Sequence, residues 1–522
     1  MYRHSRREFI ADVSRGMLIA GLGPTLAADL GISSAFAEED PKPLSFGDIE
    51  PLVSLLQSTP TEKLLPLLVQ RLRAGIDLRR LVSAAALANA RTFGGTHYQG
   101  YHAFMALLPA HQMAQELPEA EQPLPVLKVL YRNTSFIQSV GGAAHEALKP
   151  VQPVELPPGA RGGELLHEAE RRKETDRSER ILAALTGGPA ENALDALLPE
   201  IADRGDVHTT VLVWRAWAML DLAGRQHAHT LLRQSVRHCI TVDSRVAGAE
   251  QVPALLDRYH LVDRPLGTRE ADDAWVDGMC RTVLRSSAQQ AAEAAAAALA
   301  DGFLPEHLGE AISLAANQLV LRQVEDWPGY YGRRVHGDSM GVHASDTINA
   351  WRNLARIASP RNRAAGLIVG AANIAQSHRV SEDRRYRGHE KEPYPTKEHL
   401  QRVKATDPQA LLRELDGAIR ENDQFRACAV VHRYGELGFP PRGVFDVLLG
   451  YAVSEDGRLH AEKYYRTCVE EFATTRPAFR WRHLVGLARV TASEFGYVND
   501  KRGDKDGQRA PGYEEACRLL RT

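Results

Sequence analysis

The chain has 522 residues, 44% hydrophobic and 25% charged, with 64 Lys and Arg against 66 Asp and Glu and a formal net charge of −2. That length buries a large core without a metal or disulfides, and balanced charge argues against a nucleic-acid-binding protein. Five cysteines, Cys239, Cys280, Cys428, Cys468 and Cys517, have no CxxC spacing, which speaks against a zinc ribbon or a disulfide scaffold.

At the N-terminus, "SRREFIADVSRGMLIAGLGPTLAADLGISSAFAEED" pairs Arg6 with Arg7 ahead of Phe9-Ile10, crosses a weakly apolar stretch and ends on Ala35-Phe36-Ala37 before an acidic run. This is the layout of a twin-arginine export signal over residues 1–37, cut after Ala37, which predicts a periplasmic protein. Pro24 and Asp29 break the apolar stretch too much for a permanent span, and no other segment is apolar enough, so the mature form is expected to have no membrane span. Such signals resemble those of cargo exported already folded, often with a cofactor in place.

A Pro-rich lead follows over residues 38–60. From residue 61 to 522 apolar residues recur at helical spacing, as in "EKLLPLLVQRLRAG" and "LRRLVSAAALANARTFGG", each closed by glycine, and strand-like alternation is nearly absent. The expectation is a single large all-α domain, an array of packed antiparallel helix pairs around a central pocket, with loops near 150–175 and 379–405. "SSAQQAAEAAAAALADGFLPEHLGEAISLAANQLVLRQ" reads as two helices joined at Gly302 and Pro305, its alanines permitting close packing.

The chain has 20 histidines, several inside apolar helical patterns. In "GGTHYQGYHAFMALLPAHQM", His97 and His102 lie five residues apart, about 140° around a helix, so both face one ion only if the helix begins between them. "RGDVHTTVLVWRAWAMLDLAG" puts His208 at the head of an apolar helix beside the cap Asp206. His227, His229 and His238 have Arg neighbours and read as solvated. "RRVHGDSMGVHASDTINAWRNLAR" places a helix start near His343, leaving His336 in the preceding loop. "SEDGRLHAEKYYRTCVEEFA" sets His460 and Lys463 at i and i+3 on one face, with Glu462 elsewhere on the surface. HExxH, paired ExxH, P-loop, GxSxG and GxGxxG motifs are absent, as is CxxCH, which leaves only non-covalent haem as a haem option.

Taken in order, "THYQGYHAFMAL", "VHTTVLVWRAWAML", "VHASDTINAWRNLAR" and "LHAEKYYRTCVEE" resemble the motifs of the questin oxidase-like family of all-helical oxidoreductases, over residues 90–490. Departures from the family pattern are Thr96 for Asn, Arg215 for a second histidine, and Ser345-Asp346 for Val-Thr. The resemblance implies a non-haem iron (Fe2+) or other divalent metal site held by His97, His208, His343 and His460. It also implies that Lys463, carboxylated by carbon dioxide, supplies the oxygen ligand that an Asp or Glu would otherwise provide. His102 and Asp346 are candidate catalytic groups beside the metal, with His307 as a further substitute. Trp214, Trp217, Trp351, Tyr98 and Tyr101 are candidates to line an aromatic substrate pocket.

The expected function is thus an exported metal-dependent mono- or dioxygenase using dioxygen on an aromatic or polycyclic small molecule. The alternative, from a different class, is a non-enzymatic helical-repeat scaffold or binding protein of the cell envelope, which predicts histidines dispersed over the surface.

Overall fold

The helices follow from local signals that the sequence carries. Asp77, Asp206, Asp272, Ser287 and Asp407 each cap a helix by accepting backbone N–H bonds in its first turn, and Ser287 with Gln290 completes a capping box. Helices Leu78–Phe93, Ala288–Ala300 and Pro305–Arg322 fall where apolar periodicity places them. The computed structural model describes residues 43–262, 265–324, 337, 339–382, 392–496 and 509–521. The twin-arginine segment 1–37 and His336 lie outside these described residues.

Among the described residues the chain is all-α, without a β-strand. One isolated bridge pairs Arg269 with Phe303. Residues Phe46–Thr522 form one compact unit. No helix among the described residues is long and apolar enough to cross a membrane. The Pro-rich lead contains helix Glu50–Ser58, and Glu50 pairs with Arg91 at 2.8 Å. Residues 145–161 carry no helix, and the helix Gly162–Arg171 follows them.

Four helices form a closed circuit at the centre. Tyr98–Ala114 packs on Val207–Ala223, which packs on Met340–Ala355, which packs on His460–Thr474, which returns to Tyr98–Ala114. Buried polar side chains fix them to their neighbours. The Glu471 carboxylate is ion-paired with Arg352 and accepts hydrogen bonds from Ser313 and Asn349 at 2.5 and 3.0 Å, joining Pro305–Arg322, Met340–Ala355 and His460–Thr474. Glu462, expected on the surface, is instead fully buried and pairs with Lys128 at 2.6 Å. Lys128 also donates to the carbonyls of Ala452 and Glu455 at 2.8 and 2.7 Å, so both buried charges are compensated.

Candidate metal centre

Each helix of the central circuit brings a histidine within its first five residues: His102, His208, His343 and His460. Their rings form a chain of neighbours, with centroids 4.9 Å apart for His102 and His208, 5.7 Å for His208 and His343, 5.1 Å for His343 and His460, and 5.5 Å for His460 and His102. The N-terminal ends of four helices therefore meet at one cluster, and their dipoles make it a favourable place for negative charge.

Local structure sets which nitrogen each ring offers. His102 Nδ1 donates to the Tyr98 carbonyl at 2.8 Å, and His460 Nδ1 donates to the Gly457 carbonyl at 3.0 Å, which leaves Nε2 of each with its lone pair. His208 and His102 both carry a buried Nε2 without a hydrogen-bond partner among the described residues. His343 Nε2 lies 3.1 Å from His460 Nε2 and donates to it. The His208 head is set by Asp206, whose carboxylate accepts from the backbone of His208 and Thr209 at 2.9 and 3.4 Å. Burial opposes ionisation of Asp206, but these bonds and the His208 charge win and hold its pKa below the usual carboxylate range.

His460 is placed by an unusual backbone. Gly457, Arg458 and Leu459 all have positive φ, at 48°, 54° and 67°. Two consecutive non-glycine residues in the left-handed region cost on the order of 1–3 kcal/mol each, and such strain gathers at functional sites.

Burial pushes the pKa of His102, His343 and His460 well below the ordinary imidazole value, so all three are neutral at neutral pH. Lys463 is also enclosed. Burial lowers its amine to about 8, against the opposing pull of Asp346 and Glu462. Its charge bears on His102, His343 and His460, which places it beside the cluster. Asp346 is fully buried, accepts from Thr467 at 2.7 Å, and is raised by burial with Lys463 and Arg215 acting against that.

His97, expected as a ligand, is not one of the converging rings. It is the N-cap of its helix, accepting from the Gly100 N–H at 3.2 Å and stacking on Phe93 at 4.8 Å. His102, five residues on, takes the place beside His208 and His460. His307 accepts from the backbone N–H of Ala271 at 2.9 Å, a structural bond in another part of the fold. His238, read as solvated, is buried: it donates to the Gly95 carbonyl at 3.0 Å and meets Tyr101 edge-on at 4.9 Å. The helix carrying His343 begins at Met340 on the cap Ser339, three residues earlier than expected.

A cleft of about 580 Å³ opens onto the cluster through His208 and His343, with Tyr98, Met340, Arg245 and Arg458 in its walls. Of the aromatic candidates, Tyr98 and Tyr101 touch the histidine rings, and Tyr98 is 58% exposed. Trp351 instead packs in the core, and Trp217 stacks under Arg225.

The donors suit a divalent transition metal: imidazoles, of which His102 and His460 have Nδ1 fixed by carbonyls and His102 and His208 carry buried, unpartnered Nε2 atoms. The set is more open than a closed cage, since among the described residues no three of these nitrogens lie within 4.8 Å of one another. Comparison of the chain with protein-family models, with curated proteins and with solved structures finds no match.

Proposed function

We propose that the protein is an exported, metal-dependent oxidoreductase of the questin oxidase-like kind, a non-haem iron oxygenase acting on an aromatic or polycyclic small molecule. The observation that carries this reading is the meeting of four histidines at the N-terminal ends of four mutually packed helices, with the Nε2 atoms of His102 and His208 buried and unpartnered. Buried polar atoms of this kind are costly unless something binds them.

His102, His208, His343 and His460 would hold the ion, with Lys463 as its fifth ligand after carboxylation. When bound, iron supplies redox and Lewis-acid chemistry directed at dioxygen and an electron-rich ring. Lys463 is suited to carboxylation because burial lowers its pKa and so raises its neutral, nucleophilic fraction. Tyr98 offers a ring face at the cleft mouth against which a flat substrate stacks. Arg245 and Arg458 in the cleft wall favour a phenolate or carboxylate on that substrate. Asp346, held by Thr467, faces the Lys463 amine before carboxylation and favours its charged form.

The test is iron content and the paramagnetic resonance signal of the nitric oxide adduct, measured on the mature protein reconstituted anaerobically with Fe2+. One ferrous ion per chain at this site is expected, with the signal abolished in His208→Ala/His343→Ala. A double variant that keeps the full signal sinks the assignment. Dioxygen uptake with polyphenolic probes then tests the substrate class.

A further inference from the structure

A second group of ligand-type side chains lies on helices outside the central circuit. His167 and Glu170 share one face of helix Gly162–Arg171 at i and i+3, and Glu200 and Asp203 share one face of Ala190–Arg204 at the same spacing. His167 Nε2 lies 3.0 Å from Asp203 Oδ2 and 3.3 Å from Glu200 Oε2. Among the described residues this is the only trio of His, Cys, Asp or Glu whose ligand atoms all lie within 4.8 Å of one another.

The independent observation is Glu170. Its side chain is completely buried, and neither carboxylate oxygen has a hydrogen-bond partner among the described residues. It shares a helix face with His167, and the groups that bear on it electrostatically are Glu200, His167 and Arg204, which puts it beside the same cluster. Glu200 is also buried. Its Oε1 accepts from Arg204 at 2.8 Å, while its Oε2 meets His167 at 3.3 Å. One guanidinium and one imidazole thus meet two carboxylates and the Glu170 carboxyl, which burial raises well above its usual range. A divalent cation beside neutral His167 would offset the charge of an ionised Glu170 with Glu200, Asp203 and Arg204 and give the Glu170 oxygens the partner they lack.

We propose that His167, Glu200 and Asp203, backed by Glu170, form a second divalent transition-metal site, distinct from the histidine cluster. One imidazole with two or three carboxylates is a donor set for Zn2+ or Mn2+. His167 and Asp203 line a cleft of about 540 Å³ that gives an ion a way in from solvent, while Glu200 and Glu170 lie behind them. Arg161, Arg361 and Asn362 stand in the walls of that cleft, so an anionic ligand reaching the ion meets cationic and amide partners.

The competing state is a protonated His167 bridging the carboxylates, which binds no ion. Zinc binding by chelator-stripped full-length mature protein, read as metal per chain by mass spectrometry after equilibrium dialysis, separates the two. The wild type is expected to take up two zinc ions, His208→Ala/His343→Ala one, and His167→Gln/Asp203→Asn one. Combining all four substitutions removes both, with affinity at the second site falling at least about a hundredfold. In His208→Ala/His343→Ala the melting temperature rises with zinc, and adding His167→Gln/Asp203→Asn abolishes that rise. If the wild type binds one zinc and His208→Ala/His343→Ala none, the second site is refuted while the histidine cluster stands; a wild type that binds none refutes both. If the wild type binds one ion, lost only on His167→Gln/Asp203→Asn, the second site holds and zinc binding at the histidine cluster fails. Should His208→Ala/His343→Ala not fold, the wild type against His167→Gln/Asp203→Asn still decides: equal stoichiometry overturns the site.

Discussion

At the scale of single residues, the contrast between His97 and His102 separates capping from ligation. His97 caps its helix through Gly100 and packs on Phe93, so His97→Ala is expected to cost about 1 kcal/mol, the usual value of a lost N-cap, and to leave metal content unchanged. His102 is buried with its Nδ1 tied to Tyr98 and its Nε2 free, so His102→Ala is expected to weaken metal binding at least about tenfold. Urea denaturation and metal analysis of both variants check the pair; metal lost from His97→Ala but kept by His102→Ala reverses the assignment. Sequence narrowed the choice to these two, because a five-residue spacing puts them on different faces of one helix. It did not say which face is inward, since that depends on where the helix packs. His238 shows the same limit: its Arg neighbours suggest a wet face, but the ring turns inward onto Gly95 and Tyr101.

At the scale of elements, the site is a matter of how four helix heads are brought together. The head before His208 was legible, because Asp206 is a capping residue at the right offset, whereas the start of the His343 helix was read three residues late and its cap Ser339 passed over. The left-handed run before His460 was not legible beyond Gly457, since Arg458 and Leu459 adopt conformations that their side chains disfavour. Nor was Glu462, whose burial depends on Lys128 from a distant helix. Gly341, two residues ahead of the expected helix start near His343, lies inside the His343 helix. A Cβ there would sit 2.7 Å from the Val320 backbone nitrogen, so the glycine permits close approach to Pro305–Arg322. Because a backbone atom cannot swing aside as a side chain does, Gly341→Ala is expected to push the His343 helix outward at a cost of about 1–3 kcal/mol. Metal affinity should fall with stability in this variant, although no ligand is altered. Unchanged iron binding alongside a lowered melting temperature would show that the His343 position tolerates the shift.

For the whole molecule, buried neutral histidines make acid the natural denaturant. His483 is fully enclosed, shares a hydrogen bond with the Thr475 hydroxyl at 3.1 Å, and is lowered to about 4 by burial, with the Glu471 charge working the other way. In the unfolded chain the same imidazole titrates near its ordinary 6.5. Between these values the unfolded state binds a proton that the native state refuses, so stability falls as pH drops from about 6.5 to 4 and levels off below. The gap of about 2.5 units corresponds to about 3 kcal/mol from this one side chain. His102, His343 and His460 shift in the same direction and add to the slope. In metal-free protein, urea midpoints at pH 7 and pH 4.5 are therefore expected to differ strongly, and His483→Gln, which has no proton to gain in this range, should shrink that difference by about 2–3 kcal/mol. A difference of the same size in His483→Gln would place the acid sensitivity elsewhere.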